Sequence, residues 1–527
     1  MSPSPTSQRP EAGPIAHPTR FGSLAVLFLL AACSPVGPDF VRPETPANPA
    51  WLDAELEQFD TDAAELAEWW RMLNDPVLDE LIATARAENN NLKIAGLRVL
   101  ESQARLNIAI GNQYPQQQIL TGDVTAVNSS ENVANTSTTD TSFTELNVAA
   151  SVVWEIDFWG RFRRGIEAAD ADLLASIASF DDAMVLLTAQ VADTYALIRA
   201  TEEQLRLARD SRDIQQRSFD ITEVLFRNGS SSELDALQAR TQLLGTEAVI
   251  PSLEVSLRRL KNAMSVLLGR PPGNIDDILK GEGKLPDIPK QLAVGIPANL
   301  LRQRPDVRRA ELQALAQNAL VGVAEADLYP SFTLTGSLGI SAADGTTTTS
   351  SGDSGAEQLF TSDSLAYSLG PTFVWPFLNY GRIRNNVRVQ DARLQQALIA
   401  YRDAVILAAR EVEDAMVSYV GTQKQDAILA EGVQTARRSA ELSLLRYQEG
   451  FADYQRVLDS QQALFTQQQR YATNRGNVVR SFVALYRGLG GGWQLTAPAE
   501  FVDQKTRQEM EERTNWGDLL ENPPTKP

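Results

Sequence analysis

The sequence predicts a membrane protein of mixed α+β class, built from two copies of a unit that joins a strand hairpin to long helices. Three observations support this prediction. The chain repeats itself at a spacing of 221 residues, most visibly in Trp159-Gly160-Arg161 and Tyr380-Gly381-Arg382. Each copy alternates apolar and polar residues over the length of a membrane strand. Each copy then continues with apolar residues at heptad spacing, which is typical of coiled coils.

The first 32 residues resemble the signal peptide of a bacterial lipoprotein. The apolar run from Phe21 to Ala32 is too short to span a bilayer as a stable anchor. It ends at Cys33, and the sequence Leu-Ala-Ala-Cys resembles the lipobox, in which the cysteine thiol receives a diacylglycerol before cleavage. We therefore expect residues 1–32 to be removed and Cys33, the only cysteine, to be lipidated. The alternative is an ordinary signal peptide followed by a chance cysteine.

Composition limits the chemistry of the mature chain. The only histidine, His17, lies in the predicted signal peptide, which excludes Cys/His nucleophiles, histidine general bases and Cys/His zinc sites. The net charge of −19 argues against a nucleic-acid partner, because phosphate binding requires positive charge. The six methionines are not clustered, so nothing points to soft metals. We expect no metal site, and no cofactor apart from the lipid on Cys33.

The duplication divides the chain into segments. The spacing of 221 holds without a gap from Trp154 and Trp375 to Gly269 and Gly490. Upstream the spacing is 215, which pairs Tyr114-Pro115 with Tyr329-Pro330, so the six-residue difference lies between Pro115 and Trp154. The predicted segments are a signal peptide at 1–32, a lipid-anchored extension at 33–75, repeat 1 at 76–269, a connection at 270–301, repeat 2 at 302–490 and a C-terminal tail at 491–527.

Each copy is predicted to contain two strands, in hairpins at about residues 116–158 and 331–377. In the longest run, apolar residues occupy every second position, at Leu146, Val148, Ala150, Val152 and Trp154. A soluble sandwich would alternate too, but these runs have the length of a membrane strand and gather aromatic residues at one end. The polar stretches at 128–141 and 342–363 are typical of exposed loops. We therefore favour a membrane barrel.

A long helix is predicted after each hairpin. The 69 residues from Gly160 to Asn228 contain no proline and would extend about 100 Å as one helix. A glycine turn breaks this helix in each copy. The returning helices, at about 233–268 and 453–488, are only half as long. Two short helices stacked end to end could therefore run beside one long helix.

The repeated Gly-Arg motif lies where a strand turns into a long helix. Aromatic rings favour the membrane interface, glycine permits the bend, and arginines can meet anionic headgroups there. The alternative is a generic turn with solvated arginines. We expect the following residues to lie at the membrane interface: Trp154, Trp159, Arg161, Trp375, Tyr380 and Arg382.

Several motifs, taken in order, resemble the outer membrane factor family, the TolC-like exit ducts of tripartite efflux pumps, and in particular its lipoprotein branch. The matching segments are Cys33-Ser-Pro-Val-Gly-Pro-Asp-Phe40, Trp69-Trp70 with Asn74-Asp-Pro-Val-Leu78, Trp154 to Arg161, Gly295-Ile-Pro-Ala-Asn-Leu-Leu301, Arg304 to Glu311, and Tyr329-Pro330. The resemblance implies a homotrimer whose four strands per chain close a 12-stranded outer-membrane β-barrel. It also implies a long periplasmic coiled-coil α-barrel, with an equatorial belt built from the connection and the C-terminal tail.

The resemblance also implies roles for the helix turns at the periplasmic end. In such ducts these turns close the resting channel and contact a periplasmic adaptor. The predicted gate residues are Asp459, Tyr447, Gln455 and Arg456, with Asp459 from three subunits forming an acidic ring. The predicted adaptor contacts are Asn228, Gly229, Ser230, Gly450 and Phe451. An ordinary first-turn carboxylate is the alternative for Asp459, and plain exposed turns are the alternative for the contacts.

The resulting hypothesis is a non-enzymatic exit duct of a tripartite efflux pump of the RND type. It would be lipid-anchored in the outer membrane, extend into the periplasm, and work with an adaptor and an inner-membrane pump. The same architecture serves type I protein secretion, which is the alternative function. Two further alternatives are an anchored hydrolase that uses Glu155 and Asp157, and a coiled-coil spacer lipoprotein without a channel.

Overall fold

The computed structural model describes residues 35–44, 48–60, 66–130, 132, 141–280, 283–289, 291–295, 297–344, 358–494, 501–522 and 524. The predicted signal peptide at 1–32 and the predicted lipidation site at Cys33 lie outside the described residues. Most of the loop between the two strands of each predicted hairpin also lies outside them.

Helices dominate the described part of the chain, and strands form two separate sheets. In chain order the elements are β1 Phe59–Asp60, α1 Pro76–Glu88, α2 Asn90–Gly111, β2 Gln117–Asn128, β3 Ser142–Ile156, α3 Arg161–Arg227, α4 Glu233–Leu267, β4 Leu292–Ala293, α5 Pro297–Gln303, α6 Pro305–Ala326, β5 Ser331–Asp344, β6 Leu365–Val374, α7 Arg382–Gln448, α8 Tyr454–Gly488 and α9 Gln504–Arg513. Short 3-10 turns add Trp69–Leu73, Ser362–Ser364 and Gly517–Leu519.

The helices of the two copies match in length. The long helices α3 and α7 have 67 residues each, and the returning helices α4 and α8 have 35 each. Both pairs begin 221 residues apart. The predicted internal duplication is therefore confirmed at the level of whole elements.

The four long strands form one antiparallel sheet in the order β2-β3-β5-β6. Leu120 lies opposite Ala150 in the first hairpin, and Leu334 lies opposite Pro371 in the second. Equivalent residues of β2 and β5 are thus 214 positions apart, whereas equivalent residues of the helices before them are 215 apart. Repeat 1 carries the extra residue between Tyr114-Pro115 and β2, where the Gln116 side chain accepts a hydrogen bond from Glu155 N–H at 2.7 Å.

Pro371 lies in a strand position that tolerates proline. Its strand, β6, is an edge strand, and among the described residues it has a ladder partner only on the β5 side. Proline lacks a ladder donor and is confined to edge strands or bulges in most sheets.

The chain divides into two compact units. The first unit, Met1–Phe40, Asn107–Ala169 and Gln317–Leu394, contains the four-stranded sheet and the adjoining helix ends. The second unit comprises Val41–Leu106, Asp170–Ala316 and Gln395–Pro527. Its core contains Trp69, whose ring stacks on Tyr486 at 5.7 Å and contacts Phe482.

The connection and the C-terminal tail both join the core of the second unit. In the connection, β4 pairs in parallel with β1. In the tail, Phe501 packs edge-on against Phe180 at 5.1 Å. One window of α3 is apolar enough in composition to cross a bilayer, yet 61% of it is buried within the protein. That burial indicates a core helix.

Candidate functional site

One face of the four-stranded sheet is apolar and exposed. Leu120, Val124, Leu338, Leu369 and Phe373 all point to this face, and Phe373 is 69% exposed. Monomeric soluble proteins rarely expose apolar patches of this extent. The strands are 10 to 15 residues long, which is sufficient for membrane strands. The face therefore has the length and polarity that contact with lipid requires.

Both edges of the sheet are open within the part of the chain that the structure describes. There β2 and β6 are the outer strands, and each has a partner on one side only. An unpaired edge of 10 or 12 residues presents a row of backbone donors and acceptors that must pair elsewhere in a membrane. One chain alone cannot close this sheet into a barrel.

A tryptophan fastens each hairpin to the helix that precedes it. Trp154 Nε1 donates to the carbonyl of Gln113 at 3.2 Å, and Trp375 Nε1 donates to the carbonyl of Leu328 at 3.1 Å. The two contacts are equivalent, because Trp375 and Leu328 occupy in repeat 2 the positions of Trp154 and Gln113 in repeat 1. Each indole N–H satisfies a backbone carbonyl two residues beyond the end of the helix, where the chain has left the helical hydrogen-bond ladder.

The next aromatic pair differs between the copies. In repeat 1, Trp159 stacks on Tyr329 at 4.5 Å and donates to the carbonyl of Pro330 at 2.8 Å. In repeat 2, the equivalent Tyr380 is 98% exposed and has a φ of 51°. Non-glycine residues rarely adopt this left-handed conformation. Arg382 is exposed, whereas Arg161 lies 3.4 Å from Glu155 and 3.6 Å from Asp327.

Asp157 starts the long helix of repeat 1. Its carboxylate accepts hydrogen bonds from the N–H groups of Phe162 and Arg163, at 3.2 and 3.0 Å, and from Arg163 Nε at 3.1 Å. Strand alternation alone would place Asp157 beside Glu155 on the polar face. The strand ends at Ile156 instead, so the Asp157 carboxylate caps the helix and favours it through the helix dipole.

The segment that follows Cys33 is held at the same junction. Val36 N–H donates to the Trp159 carbonyl at 2.9 Å. The buried Arg164 donates to the carbonyls of Val36 and Gly37 and pairs with Asp39 at 2.9 Å. Sequence reasoning missed Arg164, because nothing in the motif distinguished it from its solvated neighbours.

The turns between long and returning helices share one geometry. Gly229 has a φ of 72° and donates to the Phe226 carbonyl, while Ser230 N–H donates to the Leu225 carbonyl. Gly450, with a φ of 78°, and Phe451 repeat these bonds at 3.0 and 2.8 Å. Both are Schellman motifs, which need a left-handed residue at the first position beyond the cap. Phe451 is 73% exposed at the second turn.

The predicted gate residues fall into two groups. Tyr447 is buried in a cluster beside the turn, where its ring meets Tyr454 edge-on at 5.1 Å and its hydroxyl lies 3.3 Å from Ser231 Oγ. Burial raises the pKa of the Tyr447 hydroxyl. Asp459, Gln455 and Arg456 are all exposed instead. Tyr447 therefore shapes the turn, whereas the other three side chains face outward from the chain.

An amide chain leads to Asp459. Gln238 Nε2 donates to Gln455 Oε1 at 3.3 Å, and Gln455 Nε2 donates to the Asp459 carboxylate at 2.9 Å. Gln238 is also the residue equivalent to Asp459 in repeat 1, so only one copy carries the acid. Arg456 lies 3.7 Å from Asp453. In the part of the chain that the structure describes, no cluster of His, Cys, Asp and Glu could hold a metal ion.

The family model for outer membrane efflux proteins matches residues 81–270 and 296–491, one match for each copy of the duplication. The chain belongs to this family. The predicted relation to TolC-like exit ducts is therefore confirmed, as are the four strands per chain and the two-part repeat. The protein is the outer membrane channel of an efflux pump, and its family is one of channels rather than enzymes.

Relatives of known name are similar over nearly their whole length. The pyoverdine export outer membrane protein OpmQ of Pseudomonas putida is 31% identical over 89% of this chain and 96% of its own. SilC of Salmonella typhimurium, described as a probable outer membrane lipoprotein, is 28% identical over 89% of this chain and 98% of its own. The solved structure of the outer-membrane channel OprN has a TM-score of 0.80 and 30% identity over 87% of this chain and 99% of that one.

Proposed function

We propose that three copies of the chain form the exit duct of an RND-type tripartite pump. The duct carries small molecules passively from a periplasmic adaptor and an inner-membrane pump to the exterior. The observation that carries this proposal is the four-stranded sheet with an exposed apolar face and two open edges. Four strands are too few to close a barrel, whereas three copies supply 12, within the range of outer-membrane barrels.

The proposal includes a lipid anchor at Cys33. The anchored residue precedes Val36 and Gly37, which are bound at the strand-to-helix junction by Trp159 and Arg164. A lipid on Cys33 would therefore enter the membrane close to the base of the sheet. The aromatic residues Trp154, Trp159, Trp375 and Tyr380 suit the interface at that level. The similarity to SilC, described as a probable outer membrane lipoprotein, supports the lipoprotein assignment.

The proposal places the gate and the adaptor contact at the helix turns. Three Asp459 carboxylates, one from each copy, would form an acidic ring, with the neutral Gln238 at the equivalent positions between them. The chain of amides through Gln455 links the two. Contact of an adaptor with the turns at Gly229 and Gly450, and with the exposed Phe451, would move the returning helices that carry these side chains.

Small-molecule export is supported by the descriptions of relatives. OpmQ is described as a pyoverdine export outer membrane protein, and it is similar over 89% of this chain and 96% of its own length. The RND class and the adaptor are testable in the native host by photo-crosslinking from Phe451, followed by mass spectrometry. Recovery of an adaptor together with an RND transporter supports the proposal, while recovery of a type I secretion ATPase contradicts it.

The gate is tested by single-channel conductance of the purified protein in planar bilayers. We expect the native channel to be mostly closed, and Asp459→Ala to raise its open probability. Gln238→Ala is the matched comparison, because it breaks the amide chain at the equivalent position without removing a charge, and so separates loss of the hydrogen bond from loss of the carboxylate. Unchanged gating in Asp459→Ala would discard the acidic gate, and absence of conductance from folded protein would discard the duct.

A further inference from the structure

The apolar core of the second unit is interrupted along its long helices. The main cluster reaches Ile198 on α3 and Val478 on α8. A separate cluster beside the turns, which we call the turn cluster, has the buried members Ala239, Tyr447, Tyr454 and Val457. On α8, Val457 and Val478 are 21 residues apart, or about 30 Å of helix. The helices are therefore joined by two apolar clusters with a gap between them.

Within this gap the buried side of α3 is polar. Between residues 209 and 222 every buried residue of α3 is polar, and these residues are Ser211, Gln215, Ser218 and Thr222. Their spacings of four, three and four are those of a coiled-coil heptad. We call these four residues, with the α8 side chains that contact them, the polar seam. The seam keeps the packing geometry of a coiled coil and replaces its apolar side chains with hydroxyls and an amide.

α8 is equally poor in apolar residues over the same stretch. Between Val457 and Val478, all of which the structure describes, Leu464 is the one large apolar side chain that α8 buries. The other residues buried there are polar or small, and they are Ser460, Gln461, Gln468, Ala472, Asn474 and Gly476.

Glutamines of α8 face the hydroxyls of α3. Gln461 Nε2 donates to Ser218 Oγ at 2.7 Å, and both side chains are buried. Two turns further along each helix, heptad spacing places Gln468 opposite Ser211, and both of these are buried as well. The two helices therefore meet through polar groups over at least two heptads.

Three buried amide oxygens in and beside the seam have no hydrogen-bond partner among the described residues. They are Gln215 Oε1, Gln461 Oε1 and Asn474 Oδ1, on residues that are 2%, 5% and 3% exposed. Reversing the Gln461 amide would pair its oxygen with Ser218 and leave its nitrogen unpaired instead. Nearly all buried polar groups in folded proteins have a partner, and ordered water supplies it where no protein group does.

We propose that ordered water molecules occupy the polar seam between α3 and α8 and donate hydrogen bonds to these amide oxygens. The seam is then a hydrated interface between two dry clusters, and it allows the turn cluster to open separately from the main cluster. The inference depends neither on the proposed gate nor on the number of chains in the assembly.

Separate opening follows from how a hydrated interface is stabilised. Bridging water restores the hydrogen bonds of the amides, but it buries little apolar surface, and apolar burial supplies most of the stability of packed helices. Segments with few buried apolar contacts open at a lower free energy than the core. The turn is therefore held mainly by the turn cluster, and its opening leaves Trp69 and its ring contacts in the main cluster undisturbed.

An experimental map at a resolution that shows ordered water tests the binding site. In the native protein we expect density within hydrogen-bonding distance of Gln215 Oε1 and of Gln461 Oε1. In Gln215→Met the water at the substituted position should be lost while the helices stay in place, because methionine has nearly the length of glutamine and adapts to its surroundings. A native map that shows both side chains in order and no water beside them overturns the site.

Hydrogen exchange of the full-length protein in detergent, followed by mass spectrometry, tests the separate opening. We expect residues 209–227 of α3 and 454–477 of α8 to exchange together, and faster than residues 170–198 of α3 and 478–488 of α8. Gln215→Met, Gln461→Met and Ser218→Ala together make the seam apolar and should slow exchange in the first group by about tenfold. Uniform exchange along both helices of the native protein contradicts the division.

Exposed neighbours supply the matched control. Gln216→Met with Gln462→Met makes the same chemical change one position further along each helix, where the side chains face solvent. This variant should leave the exchange rates of both groups unchanged. Gln215→Met alone is the milder seam variant and should slow exchange in the same direction. Equal slowing in the control and the seam variants, or no slowing in either seam variant, overturns the role of the buried amides.

Discussion

The two long helices have equal length and equal place in the repeat, yet they differ in burial. Leu207 on α3 is 7% exposed, whereas its equivalent on α7, Ile428, is 71% exposed. The same contrast holds at three further positions along the helices. Ala178, Val185 and Ala196 on α3 are buried, whereas their equivalents on α7, which are Ile399, Ile406 and Val417, are exposed. α8 covers part of α3, since a Cβ on Gly476 would lie 2.8 Å from the Cβ of Ala200.

This difference indicates which surfaces are complete within one chain. The exposed stripe on α7 consists of large apolar residues whose equivalents on α3 are buried. Exposed apolar patches of this kind mark interfaces, so we expect the stripe on α7 to be buried as well. In repeat 1, the apolar positions of α3 are buried in part by residues of repeat 2. Repeat 2 has no third repeat in the chain, so we expect its stripe to be covered by another copy, as the proposed assembly requires.

The largest effect is expected from a charge placed on each helix in turn. Leu207→Asp should destabilise the folded chain by about 4 kcal/mol, because it removes a buried side chain and buries an unpaired carboxylate. Ile428→Asp should leave the chain folded and prevent assembly. Circular dichroism melts and size-exclusion chromatography in detergent measure the two properties separately. Equal loss of folding in both variants would remove the contrast between the helices.

The glycines that end the returning helices should differ between copies. Gly269 and Gly490 both have positive φ, so alanine strains the backbone at each. A Cβ at Gly269 would lie 2.1 Å from the Glu88 carbonyl oxygen, whereas at Gly490 the nearest atom is Arg304 Cγ at 2.9 Å. Because backbone yields less than a side chain, we expect a cost of about 3 kcal/mol for Gly269→Ala and about 2 kcal/mol for Gly490→Ala. Thermal unfolding of the two variants checks the order.

Periodicity was sufficient to predict the strands and the long helices, because period-two and heptad patterns depend on local sequence. The one-residue change of spacing before β2 was missed, because Gln116 can be assigned to helix end or strand from sequence alone. The burial of Tyr447 was also missed. An apolar stripe shows that a residue is covered, but it does not say whether the cover is the same turn, another helix or another chain.

A smaller effect is expected at the turn of repeat 2 at alkaline pH. Burial raises the pKa of the Tyr454 hydroxyl well above its usual range, with the nearby Tyr447 and Asp235 acting in the same direction. The neutral form is favoured in the folded chain, so its contribution is complete below the pKa of an unfolded tyrosine, about 10, and is lost as pH rises through the folded value. Repeat 1 has Glu233 at the equivalent position and lacks this dependence.

Tyr454→Phe checks that dependence. Between about pH 9 and about pH 11 the native chain should lose about 1 kcal/mol more stability than the variant. Thermal unfolding followed by circular dichroism measures the difference. Parallel losses in both proteins would show that Tyr454 does not titrate in this way.

The most direct test of the proposed assembly is native mass spectrometry of the full-length protein purified from its membrane in mild detergent. We expect a single assembly of three chains, each without residues 1–32 and each heavier by the mass of a lipidated cysteine. A folded monomer with intact strands, or an assembly of any other number of chains, would contradict the claim that repeat 2 is completed by a neighbouring copy.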